Sequence, residues 1–244
     1  MVNLKNEWSK LLRKRSTIFL FVLSALFPLA AGPLVQLLQN RFGFTAFDGE
    51  SFPLVILNLA VSFYLPLLLA LAISDMFSGE QEAKTASFLL VRPISRWKLF
   101  SSKIICTGIY LFFLLLIVCL SSLLTGAIWL ENFTFHGLII GISAFLLSWI
   151  PLMAMSALII FLAQWFGSSS KTLLFSILLY LVMFVVTYLF PTIGQWLPSY
   201  DYDWYQRWIT SGITVIVLGR TIFLLAFSAL FFTFGYAKFS RKEF

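Results

Sequence analysis

Few residues in this chain are of types that do chemistry, and most of them stand alone. His136 is the single histidine. No other metal-ligating side chain lies near it in sequence, so it lacks the partners of a zinc site or a His-based hydrolase. It reads as a solvated or interfacial residue. Cys106 and Cys119 sit 13 residues apart in one apolar run, too far for a disulfide within one helix. They read as small packing residues. The stretch Gly167-Ser-Ser-Ser-Lys171-Thr172 is like the end of a phosphate-binding loop, but Ser170 and Trp165 occupy the two positions where glycine is required. Lys171 is better read as an anchor, and Ser168 to Ser170 as the turn that opens the next apolar run. No Gly-x-Ser-x-Gly elbow is present. Asn132-Phe133-Thr134 is formally a glycosylation sequon, but it lies close against an apolar run. No catalytic group, metal or cofactor is expected.

The longest polar interruption, from Ser78 to Lys103, supports recognition rather than catalysis. Ser78 with Gln81 three residues later fits a capping box, which predicts a helix start there. Glu80 and Glu82 charge its first turn. Phe88, Leu89 and Val91 cluster near its end. Pro93 stops it, since Arg92 before proline is pushed out of the helical region. Ser95 is placed to cap the following helix, which carries Arg96, Lys98 and Lys103. A short charged helix between two long apolar elements can dock on a soluble partner and pass its motion on as a rigid unit.

Those long elements are membrane spans. Apolar residues make up 60% of the 244 residues, and charged residues only 11%, against roughly 25% in an ordinary soluble domain. About 20 apolar residues cross a bilayer core of about 30 Å. Six stretches qualify, at about 17–38, 53–75, 104–130, 137–163, 172–192 and 213–237. They read as helices, because backbone in lipid must satisfy its own hydrogen bonds. They lack the alternation of barrel strands. The first run is too long, and has no small-residue cleavage site, for a removable signal. The fold class expected is all-α: a polytopic membrane helix bundle forming one domain over residues 1–244.

Lysine and arginine fix the expected orientation. Fourteen lie in the N-terminal stretch, the loops after spans two and four, and the C-terminal tail, whereas the loops on the other side hold only Arg41 and Arg207. The positive-inside rule then places both termini in the cytoplasm. Basic residues flanking apolar runs, rather than forming a polar face, argue against nucleic acid as a partner. In residues 1–15, Leu4, Trp8, Leu11 and Leu12 share one helical face, which predicts an amphipathic helix lying in the inner interface. Pro28, Pro33, Pro66 and Pro151 fall within spans and predict kinks. Residues 193–211 hold Trp196, Tyr200, Tyr202, Trp204, Tyr205 and Trp208, amphipathic rings suited to the headgroup layer. Asn58 is the clearest polar group at mid-depth. It marks either a pathway or a structural bond between helices. Gln36 and Gln164 lie at span ends, and Arg220 in span six can snorkel or pair with an outer carboxylate.

The 78–98 segment resembles the coupling-helix region of permeases of the ABC-2 transporter family. Glu80, Glu82 and Thr85 match its Glu-x-Glu-x-Gly-Thr start, with Lys84 standing where the family has glycine. Leu89 and Leu90 match the leucine-rich stretch, and Pro93, Ile94, Ser95, Arg96 and Lys103 the remainder. The resemblance implies a permease subunit of an ATP-binding-cassette transporter, an exporter in the cell membrane. It implies a second permease, identical or related, and a separate cytoplasmic ATPase that carries out ATP hydrolysis. The ATPase-coupling residues would be Glu80, Glu82, Thr85, Phe88, Leu89, Pro93 and Arg96, with Asn58 on the translocation path. The alternative is a non-transporting membrane scaffold, sensor or immunity subunit.

Overall fold

The computed structural model describes residues 2–42, 48–82, 95–212 and 214–241. Among them the regular structure is helical throughout. A short helix α1 (Val2–Arg13) precedes six helices long and apolar enough to cross a bilayer: α2 (Arg15–Phe42), α3 (Phe52–Glu82), α4 (Arg96–Trp129), α5 (Phe135–Ala163), α6 (Ser169–Leu189) and α9 (Val215–Ser240). Between α6 and α9 lie α7 (Pro191–Gly194), a 3-10 turn (Pro198–Asp201) and α8 (Trp204–Ser211). The chain is a multi-pass, all-α membrane protein.

Each expected span is found, and several helices overrun their expected ends, most of all at the end of α3 and the start of α4, whereas α6 stops at Leu189 and α9 starts at Val215, two or three residues inside the expected bounds. Hydropathy locates the portion in lipid, whereas helical hydrogen bonding continues through polar turns beyond it. With 34 residues, α4 is about 51 Å long at about 1.5 Å per residue, against a hydrocarbon core of about 30 Å. Its first two turns and the last turns of α3 therefore project past the core as a two-helix stalk at one end. The expected helix start at Ser78 is incorrect. Ser78 lies inside the continuous α3 and is fully buried. Its hydroxyl is spent on neighbouring helices rather than on its own backbone: it donates to Ala163 O at 3.1 Å and shares a 2.6 Å bond with Thr172 Oγ1. Ser95 does hold the cap position of α4 with extended backbone, but its side chain makes no cap bond.

The apolar windows of α3, α4 and α5 are 50%, 56% and 61% buried, whereas those of α2, α6 and α9 are 22%, 22% and 17%. The middle three thus form the core, and the others wrap it with apolar faces turned outward. Leu57, Leu69, Ile73, Tyr110, Leu114, Leu152 and Ile159 fill that core. In lipid such contact gains from close packing rather than from escape from water. Gly32 shows how close: a Cβ there would overlap Thr125 Cγ2, so the Thr125 side chain of α4 packs directly on the backbone of α2.

Pro28, Pro33 and Pro151 are absorbed inside continuous helices, but Pro66 is not. It has no N–H for the carbonyl of Ser62, four residues earlier. The preceding turn, Ala60–Tyr64, widens into a π-helical turn in which Leu65 N–H bonds Ala60 O. The freed Ser62 carbonyl is taken by the hydroxyl of Tyr180 on α6.

Both termini meet the stalk. Helix α1 packs along the start of α4 and beside the start of α2. Leu11 is buried and Trp8 lies against the Phe113 ring, as the expected stripe requires, whereas Leu12 is 40% exposed and falls outside it. At the opposite end the aromatic segment folds into a cap rather than a row of interfacial anchors. Tyr202, Trp204 and Tyr205 are buried, α8 packs on α5, and Trp196 remains exposed.

Candidate functional site

The charged side chains of the stalk converge on Lys103. This lysine lies about two turns into α4 and is only 3% exposed. All three of its ammonium protons have acceptors: Met76 O at 2.7 Å, Glu80 Oε2 at 2.7 Å and Glu7 Oε2 at 3.2 Å. Lys10, one turn after Glu7 on α1, closes the group by donating to Glu7 Oε1 at 3.0 Å and Glu80 Oε1 at 3.2 Å. Two ammonium groups and two carboxylates therefore alternate in a neutral ring that ties α1, α3 and α4 together. Burial opposes the charge on Lys10, but Glu80 and Glu7 outweigh it, and its pKa is raised.

Glu7 and Lys103 are buried, Glu80 is partly so and Lys10 is the ring's solvent-facing member; burying such charges is costly unless each is paired and its hydrogen bonds are filled. Here the geometry meets that condition, and the return is a fixed register between three helices rather than raw stability. A second set of contacts joins α3 to α6. Asp75 Oδ1 accepts from Ser169 Oγ at 2.8 Å, and Glu82 Oε2 accepts from the Ser169 N–H at 2.9 Å. Ser169 opens α6, where backbone N–H groups lack helical partners and a carboxylate is favoured. Lys14, between α1 and α2, lies 3.7 Å from Asp75 Oδ2. Arg96 reaches across to the carbonyl of Ser240 at the end of α9.

These contacts show where the expected coupling residues stand. Glu80, Glu82 and Arg96 are held by partners within the chain, at the root of the segment between α3 and α4. Thr85, Phe88, Leu89 and Pro93 lie outside the described residues. Trp97 and Lys98 are exposed beside that root. Asn58 is remote from it, on α3 two residues before the π-helical turn, where its Oδ1 accepts from Ser62 Oγ at 3.4 Å. No group of three or more metal-ligating side chains occurs among the described residues. Together these contacts lock α1, α3, α4 and the start of α6 to one another.

Residues 3–187 match the family model described as ABC-2 family transporter protein. The chain belongs to the ABC-2 transporter family. The match covers α1 through most of α6 and so includes the whole stalk, whereas the aromatic cap and α9 lie beyond it. No curated protein matches the chain. For this ABC-2 family chain the ring supplies what the sequence reading lacked. Glu7 was missed because its buried partner, Lys103, lies 96 residues away. The signal that would have found it is local: it is the only acidic residue in α1, set one turn before Lys10 on the face that carries Trp8 and Leu11.

Proposed function

We propose that this chain is the permease subunit of an ATP-binding-cassette exporter, driven by a separate cytoplasmic ATPase that docks on residues 78–98. The observation that carries this reading is the ion-paired ring of Glu7, Lys10, Glu80 and Lys103 at the root of that segment. A push on a loop is lost if the loop bends. Here the loop's two flanking helices are joined to each other and to α1 by ion pairs, and to α6 through Glu82 and Asp75. Displacement of the segment would move α1, α3, α4 and the start of α6 together. In the proposed orientation the stalk and both termini face the cytoplasm, in keeping with the 14-to-2 distribution of basic residues.

Glu80, Glu82 and Arg96 then set the angle of the docking segment, and Thr85, Phe88, Leu89, Pro93 and the exposed Trp97 meet the ATPase. Asn58, beside the π-helical turn of the buried α3, is the proposed polar point on the path. The outward faces of α2, α6 and α9 are available to lipid and to a second permease.

The test is a mild-detergent pull-down of the tagged full chain from its host membrane, followed by an ATPase assay. A stoichiometric ATPase that is lost when residues 83–94 are scrambled supports the permease reading. A chain that purifies without any ATPase removes it and leaves a membrane scaffold.

A further inference from the structure

At the end opposite the stalk, a pocket of about 300 Å³ opens between α7 and the first turns of α9. It is lined by Gln195, Trp196, Ile216, Gly219, Arg220 and Phe223. Arg220 is the one charged group in this lining, and it lies about 7.5 Å below the start of α9 at about 1.5 Å per residue. That depth lies in the outer part of the span, from which an arginine snorkels toward the headgroups. The side chain turns back toward the cap, where Nη1 donates to Gln195 O at 2.6 Å. Its carboxylate neighbour is the fully buried Asp201, at 3.9 Å and beyond hydrogen-bond reach. Asp201 also faces Arg207 at 3.6 Å, so one carboxylate is shared by two guanidinium groups. Among the described residues, the remaining edge of the Arg220 fork has no hydrogen-bond acceptor. The rest of the lining is apolar: Ile216 and Trp196 are exposed on the outer side of Arg220, a Cβ at Gly219 would meet nothing, and Phe223 lies about one turn deeper.

A guanidinium edge beside an apolar furrow, turned back toward the cap, matches a phospholipid better than any soluble anion. The fork can grip a phosphate diester through paired charge-assisted bonds, while Ile216 and Gly219 flank the headgroup side of the furrow and Phe223, about one turn deeper, meets the start of an acyl chain. We propose that this pocket binds an anionic phospholipid of the leaflet opposite the stalk, with Arg220 holding its phosphate. The assignment does not depend on the permease reading.

The experiment is native mass spectrometry of the full chain in neutral detergent, titrated with phosphatidylglycerol. The wild type retains one tightly held phosphatidylglycerol that Arg220→Gln loses, with affinity lower by about tenfold or more. Gly219→Trp fills the furrow, leaves Arg220 in place and gives the same loss, which keeps the test decisive if Arg220→Gln folds poorly. Arg41→Gln removes an exposed charge at the same end and leaves retention unchanged. Diacylglycerol, which lacks the phosphate, is not retained, and excess inorganic phosphate does not displace the lipid. Equal retention in wild type and both pocket variants overturns the site. Displacement by inorganic phosphate overturns its assignment to lipid.

Discussion

Lys103 illustrates how much depends on one buried charge. Its ammonium answers Glu7, Glu80 and a backbone carbonyl at once. Lys103→Met keeps the length of the side chain but leaves two carboxylates with Lys10 alone. Removing one partner from a buried ion group costs about 3–5 kcal/mol, so a large fall in thermal stability in detergent is expected. Adding Glu7→Gln to that variant recovers part of the loss, and a double-mutant cycle reads the coupling directly. If the two substitutions prove additive, the ring is not a unit. Asp201 shows the opposite situation. Burial pushes its pKa from an ordinary 3.8 up to about 6, with Arg220 and Arg207 offsetting part of the shift and Asp203 adding to it. The folded chain therefore holds a proton there that the unfolded chain has released. Stability is highest below about pH 4 on this account, and it falls as pH rises through about 6. Asp201→Asn flattens that dependence and raises stability at neutral pH by at most about 3 kcal/mol. Thermal melts from pH 4 to pH 8 check it, and an unchanged slope in the variant contradicts it.

The π-helical turn belongs to the scale of elements. Helix α3 loses one backbone donor at Pro66, and α6 supplies a replacement through Tyr180. Tyr180→Phe leaves the Ser62 carbonyl without its donor in a dry interior, at a cost of about 1–3 kcal/mol. Pro66→Ala restores an N–H on α3, and in that background Tyr180→Phe costs much less. Comparing the two differences by thermal unfolding tests whether α6 is held to α3 by this bond. The contact of α2 with α4 is set by Gly32 in the same way. Gly32→Ala forces the helices apart against Thr125, with a loss of about 1–3 kcal/mol, where an exposed helix would gain from the better helix former.

Across the whole molecule, three helices are buried in a core and three present lipid-facing sides, with ion-paired contacts gathered at one end and an aromatic cap at the other. In the proposed transporter, loosening the ring separates two properties that a docking defect would remove together. Glu7→Gln with Lys10→Met leaves residues 83–94 unaltered, so ATPase association persists, while transport per ATP hydrolysed falls severalfold. Loss of association in that variant would show that the ring shapes the docking surface itself.

Composition, run length and the placement of lysine and arginine were enough to establish six spans and the location of the polar stalk. The physical reason is that lipid admits only long apolar helices, so each span declares itself locally. The family was legible from the contiguous string between Glu80 and Lys103. Helix ends were not, since hydropathy marks the lipid boundary and hydrogen bonds run past it, as at Ser78 in α3. Nor could Glu7 be matched to Lys103, Tyr180 to Ser62, or Asp201 to Arg220 from spacing. Those pairs are separated by 19 to 118 residues, and a buried charge or carbonyl selects its partner only once packing has excluded water and every other candidate.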